Sequence, residues 1–151
     1  MRQNFHELPI DQLDSAEWEA LCDGCGLCCL IKLRDSSPFQ KGPGEVMYTD
    51  VACQLLDTQS ACCSDYPNRF ETVPDCLKLD MELLKKVDWL PASCAYRLRL
   101  EDKPLRAWHP LISGDPDSVR AAGIGAAGRC VSETTVTNDE IDERVVRWID
   151  F

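Results

Sequence analysis

Four cysteines stand within eight residues near the start of the chain, in the run CDGCGLCC. They are Cys22, Cys25, Cys28 and Cys29. A metal ion binds thiolates at about 2.3 Å, and a two-residue spacer lets the chain fold back far enough for two sulfurs to meet at one ion. Gly24 and Gly26 lie in these spacers, and glycine permits positive φ and close approach of backbone amides to sulfur. The run therefore predicts a metal site.

The other cysteines extend this pattern along the first two-thirds of the chain. Nine of the ten lie between residues 22 and 94, including Cys53, Cys76, Cys94 and the adjacent pair Cys62 and Cys63. Ordinary buried cysteine scatters through a core as a small hydrophobe, so this crowding favours ligands, although a packing role stays open for Cys53, Cys76 and Cys94. Cys130 stands apart beside Val131, and we interpret it as a packing residue.

Length and charge set limits on the class of protein. A chain of 151 residues can bury roughly two-thirds of its unfolded surface, enough for one domain with a hydrophobic core. We expect an N-terminal extension over residues 1–14 and a cysteine-cluster metal-binding domain over 15–151. The net charge of −10 opposes a phosphate backbone and argues against a nucleic-acid-binding protein of the basic-patch kind.

The sequence also indicates the compartment. It has no apolar stretch of about 18 residues that would span a membrane, and its N-terminus lacks the apolar core of a signal peptide. Ten cysteines also fall below the roughly 8–10% typical of secreted disulfide-built domains. We therefore predict a cytoplasmic protein without membrane contact, in which clustered thiols stay reduced and bind metal.

Short elements are predicted around the cysteines. Asp14 and Glu17 form a capping-box pattern that predicts a helix from Ser15 to Leu21, directly before Cys22. The segment from Arg34 to Glu45 is typical of an exposed loop. The remaining predictions are a strand in VMYTDVAC, a helix after Asp80, a helix from Ala92 to Leu100, strands in KPLRAWHPLISGD and RCVSETTV, and a terminal helix in DEIDERVVRWI. These predict a small, irregular, loop-rich α+β domain around a cysteine-lined centre.

No catalytic constellation is complete in the sequence. His109, in AWHPL, could be a structural histidine or a metal ligand or acid–base group, and spacing does not decide between them. The abundant carboxylate pairs lack a context that singles any out for general acid–base chemistry. Whether the protein is an enzyme therefore stays open.

Several segments together resemble a known family. AEWEALCDGCGLCCL, YTDVAC, CSDYPNRF, VPDCLKL, WLPASCAYRL and AWHPL, in this order, resemble the YcgN-like branch of the YkgJ-type cysteine-cluster family. The resemblance covers roughly residues 16 to 135 and implies chelation of zinc or iron by a CxxCxxCC domain. It extends to eight thiols: Cys22, Cys25, Cys28, Cys29, Cys53, Cys63, Cys76 and Cys94. Relatives have C-x-C where this chain has Cys62 next to Cys63, so Cys62 is not included.

Eight thiols permit more than one kind of centre. Two tetrathiolate zinc sites would use all eight thiols. Adjacent residues of an extended segment project to opposite sides, so Cys28 and Cys29 are expected to serve two sites, or one site and one structural role, unless the chain turns sharply there. CxxCxxC also resembles the run that holds an iron–sulfur cluster in bacterial ferredoxins, although the proline that follows there is missing here. Cysteine ligands suit zinc and iron–sulfur clusters equally.

Three hypotheses follow for function. The first is a metal-binding protein whose cysteines hold zinc or iron, and the second is an iron–sulfur redox protein or enzyme. The third is an interaction module in which the metal is structural and the acidic surface holds a cationic partner. The sequence does not identify a substrate or a protein partner.

Overall fold

The regular elements of this protein are short. The structure is a computed structural model that describes residues 1–34 and 44–150. The α-helices are α1 Ser15–Ala20, α2 Arg69–Thr72, α3 Met81–Lys86, α4 Ala95–Leu100, α5 Pro110–Ser113, α6 Ser118–Ala121 and α7 Asn138–Ile141. The strands are β1 Leu30–Arg34, β2 Val46–Ala52 and β3 Val131–Ser132. The predicted loop-rich α+β fold is confirmed, and the centre of the predicted loop from Arg34 to Glu45 lies outside the described residues.

The chain forms two compact units. The first unit contains Met1–Cys25, Asp75–Gly125 and Asp150, and the second contains Gly26–Pro74 and Ala126–Ile149. Each unit therefore combines segments that are distant in sequence, and the unit boundary falls inside the CDGCGLCC run.

In the first unit, α1 begins with the predicted capping box. The Asp14 side chain accepts a hydrogen bond from the Glu17 amide, and the Glu17 side chain accepts one from the Asp14 amide. Trp18 packs on Tyr96 of α4, with the ring centroids 5.0 Å apart, and the Tyr96 hydroxyl donates to the Trp18 carbonyl at 2.8 Å. A helix of six residues is marginal alone, so these contacts hold it.

The core of the first unit also includes the N-terminal segment. Its buried cluster consists of Ile10, Leu21, Leu84, Leu90, Ala95, Tyr96 and Leu105. Phe5 is buried as well, and the Arg99 guanidinium donates to the carbonyls of Glu7 and Leu8. The proposed boundary between residues 14 and 15 stays a prediction.

Two helices of the first unit have the predicted type, and one of them starts later than predicted. The Asp80 side chain accepts from the Leu83 amide at 2.8 Å and begins α3, as predicted. The next helix, α4, begins at Ala95 instead of Ala92, because the Ala92 amide donates to the Asp150 carbonyl at 2.8 Å and so pairs outside the helix.

The strand predicted in KPLRAWHPLISGD is wrong. This segment contains the helix α5, which follows His109 and ends at Gly114 with a φ of 71°. Pro110 opens the helix because its fixed φ suits the first helical turn, where an amide hydrogen has no partner anyway. Proline at this position was the local signal for helix.

The second unit is built on a three-stranded sheet in the order β1-β2-β3. β1 and β2 are antiparallel, with Leu30 opposite Ala52 and Arg34 opposite Val46. The predicted strand in VMYTDVAC is confirmed as the central strand, and most of its residues are buried. The strand β3 pairs in parallel with β2 over two residues, so the strand predicted in RCVSETTV is shorter than expected.

The predicted terminal helix is also shorter. α7 ends at Ile141, and a single 3₁₀ turn, Asp142–Arg144, follows it. Val145 then forms a β-bridge with Thr49, and the Val146 amide donates to the Tyr48 carbonyl at 2.9 Å. Pairing with β2 therefore replaces the helical hydrogen bonds of these residues.

Among the described residues, none of the helices has the length and apolar character needed to cross a bilayer.

Candidate metal centre

Cys22 follows α1 in the first unit, and the residue before it is held in the core. Leu21, which precedes it, is fully buried. The Leu21 carbonyl also lies 2.9 Å from Nε2 of His109. The core therefore anchors the chain one residue before the first thiol of the run.

The turn from Cys22 to Cys25 contains a hydrogen bond from a backbone amide to a cysteine sulfur. The Gly24 amide donates to the Cys22 Sγ at 3.4 Å, and the positive φ of Gly24, 74°, gives the turn its shape. The Cys25 amide donates to Asp23 Oδ1 at 3.0 Å. An amide that donates to sulfur favours the charged form of the thiol, which is the metal ligand.

Asp23 is a residue that sequence analysis missed. Its Oδ2 is buried and has no hydrogen-bond partner in the described part of the chain. A buried carboxylate oxygen without a donor is costly, and a nearby cation would satisfy it. The local signal was an aspartate followed by glycine, the residue pair typical of a side-chain-capped turn.

Cys94 and Cys76 are the other predicted ligands in the first unit. Cys94 immediately precedes α4 and packs against the buried cluster that contains Leu21. Cys76 lies before α3, in a segment joined to α1 by the hydrogen bond from Trp18 Nε1 to the Leu79 carbonyl. Cys22 is exposed, and Cys25, Cys76 and Cys94 are half-buried. We call Cys22, Cys25, Cys76 and Cys94 the first cysteine set.

In the second unit, Cys28 and Cys29 lie in a 3₁₀ turn, Leu27–Cys29, that leads into β1. Gly26 precedes the turn with a φ of 72°, and a Cβ at this position would lie 2.8 Å from the Cβ of Ala61. Ala61 itself has a φ of 58°. The backbone at Gly26 therefore packs closely against the segment that leads to Cys62 and Cys63.

Cys28, Cys29 and Cys53 lie close together. The Cys53 amide donates to the Cys29 carbonyl at 2.9 Å, next to the Leu30–Ala52 pair of the sheet. The pKa of the Cys29 thiol is raised by a hydrogen bond with the Cys28 side chain, by burial, and by the nearby charges of Cys28 and Cys53. The prediction of separate roles for Cys28 and Cys29 assumed an extended chain, whereas the 3₁₀ turn brings their side chains together.

Cys63 lies in an isolated β-bridge with a residue that follows β2. Leu56 and Cys63 pair as an isolated β-bridge, and the Leu56 amide donates to the Cys53 carbonyl at 2.9 Å. Cys62 is exposed, and its Sγ lies 3.7 Å from the Ser60 carbonyl. We call Cys28, Cys29, Cys53 and Cys63 the second cysteine set.

Two other candidates have structural surroundings. His109 is buried, its Nδ1 accepts from the Leu111 amide at 3.0 Å, and its Nε2 therefore donates to the Leu21 carbonyl. Both ring nitrogens are thus engaged in hydrogen bonds to the backbone, which favours a structural role for His109 over a metal ligand or acid–base group. Cys130 is half-buried, its Sγ lies 3.9 Å from the Thr58 carbonyl, and burial raises the pKa of its thiol, with a smaller contribution from Asp50.

The donor set fits a thiolate-bound ion, but the side chains do not meet at one point. In residues 1–34 and 44–150, no three Cys, His, Asp or Glu side chains converge closely enough to hold a metal ion as placed. Three features fit a metal ion. The eight thiols divide equally between the two units, the Gly24 amide donates a hydrogen bond to the Cys22 sulfur, and the buried Asp23 Oδ2 has no hydrogen-bond partner among the described residues. The residues of each set would have to turn inward around an ion.

Comparison with known proteins agrees with this chemistry. Residues 21–95 match the family model CxxCxxCC, described as "Putative zinc- or iron-chelating domain". The chain is 51% identical to a UPF0260 protein of Allorhizobium ampelinum over 92% of its own length and 84% of the relative's. It is 48% identical to a UPF0260 protein of Parvibaculum lavamentivorans, over 92% and 88% of the two chains.

A third relative covers more of the chain. The UPF0260 protein RHE_CH01262 of Rhizobium etli is 47% identical over 95% of this chain and 92% of its own. No solved structure matches the chain significantly. The resemblance to a cysteine-cluster domain is thereby confirmed, and the YcgN-like branch stays a prediction.

Proposed function

Because the chain belongs to the UPF0260 family and matches the CxxCxxCC model, described as a "Putative zinc- or iron-chelating domain", we propose that it binds zinc or iron through two sets of thiolates. The first cysteine set would hold one centre and the second cysteine set another. The observation that carries this proposal is the division of the eight thiols, four to each compact unit.

Four thiolates are a complete ligand set in either chemistry. Structural zinc is four-coordinate and tetrahedral, with Zn–S distances of about 2.3 Å. Iron–sulfur clusters are likewise held by four cysteines. The metal is therefore identified by spectroscopy, and an iron–sulfur cluster is one outcome of the experiment below.

As part of the proposal we infer a cytoplasmic location, where the ten cysteines of the chain would stay reduced. Disulfides are rare in the reducing cytoplasm, where thiolates stay available to metals. Metal binding requires these thiolates, so an oxidising compartment would oppose the proposed function.

Anaerobic purification followed by elemental analysis and an absorption spectrum tests the proposal. We expect two zinc ions per chain in a colourless protein, or iron and sulfide in a brown protein that dithionite bleaches. Protein without bound zinc or iron would contradict the proposal.

Serine substitutions test the division into two sets. Cys25→Ser and Cys29→Ser should each remove one of the two centres, because each set then lacks a ligand, and each should lower stability. Cys130→Ser is the matched control and should keep both centres. Loss of all metal in Cys25→Ser, or comparable loss in Cys130→Ser, would contradict the ligand assignment.

A further inference from the structure

Lys32 lies in β1 of the second unit, four residues after Cys28. In the antiparallel ladder Lys32 is opposite Tyr48 of β2, and the ladder is irregular between Leu30 and Lys32. Such irregularities re-aim side chains at the edge of a sheet. Here the lysine side chain runs back toward the start of the strand.

The Lys32 ammonium is held in place by three contacts. Its Nζ donates to the Cys28 carbonyl at 2.8 Å and to the Leu30 carbonyl at 2.8 Å. It also lies 5.2 Å from the centroid of the Tyr48 ring, which is 1% exposed. A cation over an aromatic face is attracted by the ring quadrupole, so the charge has a fixed position beside the cysteine turn.

The ammonium lies beside the turn that carries Cys28 and Cys29, because it donates to the carbonyl of Cys28 itself. Thiolate is the form of cysteine that binds a metal, and a nearby positive charge is attracted to it. The position of Lys32 therefore suits a residue that lies next to a thiolate-bound ion.

Resting on the proposed function, we propose that Lys32 is a positioning residue that balances the negative charge of the second metal centre. Four thiolates around a divalent ion leave a net charge of about −2. A fixed ammonium bonded to the carbonyl of one ligand residue reduces the electrostatic cost of that charge and orients the turn that carries Cys28 and Cys29. Residues that contact the ligands of a metal, without binding it themselves, also affect the affinity for the metal.

Cobalt(II) binding tests the role of Lys32 in the full-length chain. A Cys22→Ser background removes the first centre, and the Co²⁺ dissociation constant of the second is measured at fixed neutral pH by competition with a chelator, with the thiolate–cobalt absorption as the signal. Lys32→Met should weaken Co²⁺ binding about 10- to 100-fold. Lys32→Arg keeps the charge and should leave the dissociation constant little changed.

Further variants separate charge from structure. Lys32→Gln keeps a donor for the carbonyl oxygens but removes the charge, so it should weaken Co²⁺ binding as Lys32→Met does. It also provides the test if the Lys32→Met variant does not fold. Lys86→Met, an exposed lysine in the first unit paired with Glu82, is the matched control and should bind as the parent does.

The outcomes distinguish this inference from the proposed function. No Co²⁺ binding in the Cys22→Ser parent would overturn both. Tight binding in the parent with unchanged constants in Lys32→Met and Lys32→Gln would overturn the inference alone. Equal weakening by Lys32→Arg and Lys32→Met would also overturn it, because charge would then not be the property that matters.

Discussion

Glu17 is the clearest case in which surroundings rather than residue type set a side chain's properties. It is fully buried in α1, and its carboxylate accepts from the Arg2 backbone amide, the Arg2 guanidinium and the Asp14 amide. The hydrogen bonds from Arg2 lower its pKa to about 2, against the opposing effect of burial. The capping motif was visible in the sequence, whereas Arg2, fifteen residues away, was not a predictable partner.

Glu17 should make the stability of the metal-free protein depend on acid pH. The pKa of Glu17 is about 2 in the folded state and 4.5 ordinarily, so the unfolded chain binds the proton first. The contribution is complete above about pH 4.5 and is lost as pH falls toward 2. Urea unfolding between these values should show a shallower pH dependence in Glu17→Gln than in the parent.

An exposed carboxylate in the same unit gives the control for this pH series. Glu82 is exposed and pairs only with Lys86 in an i, i+4 salt bridge among the described contacts, and such pairs contribute little. Glu82→Gln should follow the parent's pH dependence. If Glu17→Gln also followed it, Glu17 would not be the titrating group.

At the scale of elements, the turns on either side of Cys25 depend on glycines with left-handed backbone conformations. Gly24 and Gly26 both have positive φ, 74° and 72°, and they differ in what surrounds them. A Cβ added at Gly24 would have no neighbouring atom of the described residues within 4 Å, whereas one added at Gly26 would meet Ala61 at 2.8 Å. The two glycines therefore form a natural pair for mutation.

Gly26→Ala should destabilise the protein more than Gly24→Ala. Both substitutions force a left-handed conformation on alanine, which costs about 1–2 kcal/mol, and Gly26→Ala adds overpacking of typically about 1–3 kcal/mol. Urea unfolding of the metal-free variants measures both. Equal losses would show that the Ala61 segment moves away without cost.

At the scale of the whole molecule, the regular elements are short, so the proposed metal centres would supply much of the stability. The described helices have at most six residues, below the length at which helices are stable alone. Structural zinc contributes apparent binding free energies of about 10–16 kcal/mol in zinc-finger peptides. Metal bound by the two cysteine sets would therefore be a large part of the folding free energy.

Metal removal should lower the melting temperature of the purified protein by about 10 °C or more, since about 1 kcal/mol corresponds to 2–4 °C in a chain of this size. Calorimetry before and after treatment with a chelator measures the change, and restoring zinc or iron should reverse it. An unchanged melting temperature after complete removal would show that the metal does not stabilise the fold.

Local sequence signals succeeded where the cause of the structure is itself local. The capping box of α1, the Asp80 cap of α3 and the strand before Cys53 were predictable because neighbouring residues form them. The terminal helix was predicted too long because its end is decided by pairing of Val145 with Thr49, which lies far away in sequence. The prediction of a strand around His109 failed because the segment was interpreted as a strand between turns, although Pro110 is a signal for a helix start.

The sequence by itself determined the chemistry of the candidate site. Ten thiols, their spacing and the glycines between them indicate metal binding, because ligand type and spacer length are properties of the chain. Only the tertiary structure decided how the thiols divide between two units, that His109 has both ring nitrogens engaged, and that Lys32 lies beside Cys28 and Cys29. The physical reason is that these arrangements depend on strand pairing, burial and contacts between residues distant in sequence, which no local pattern encodes.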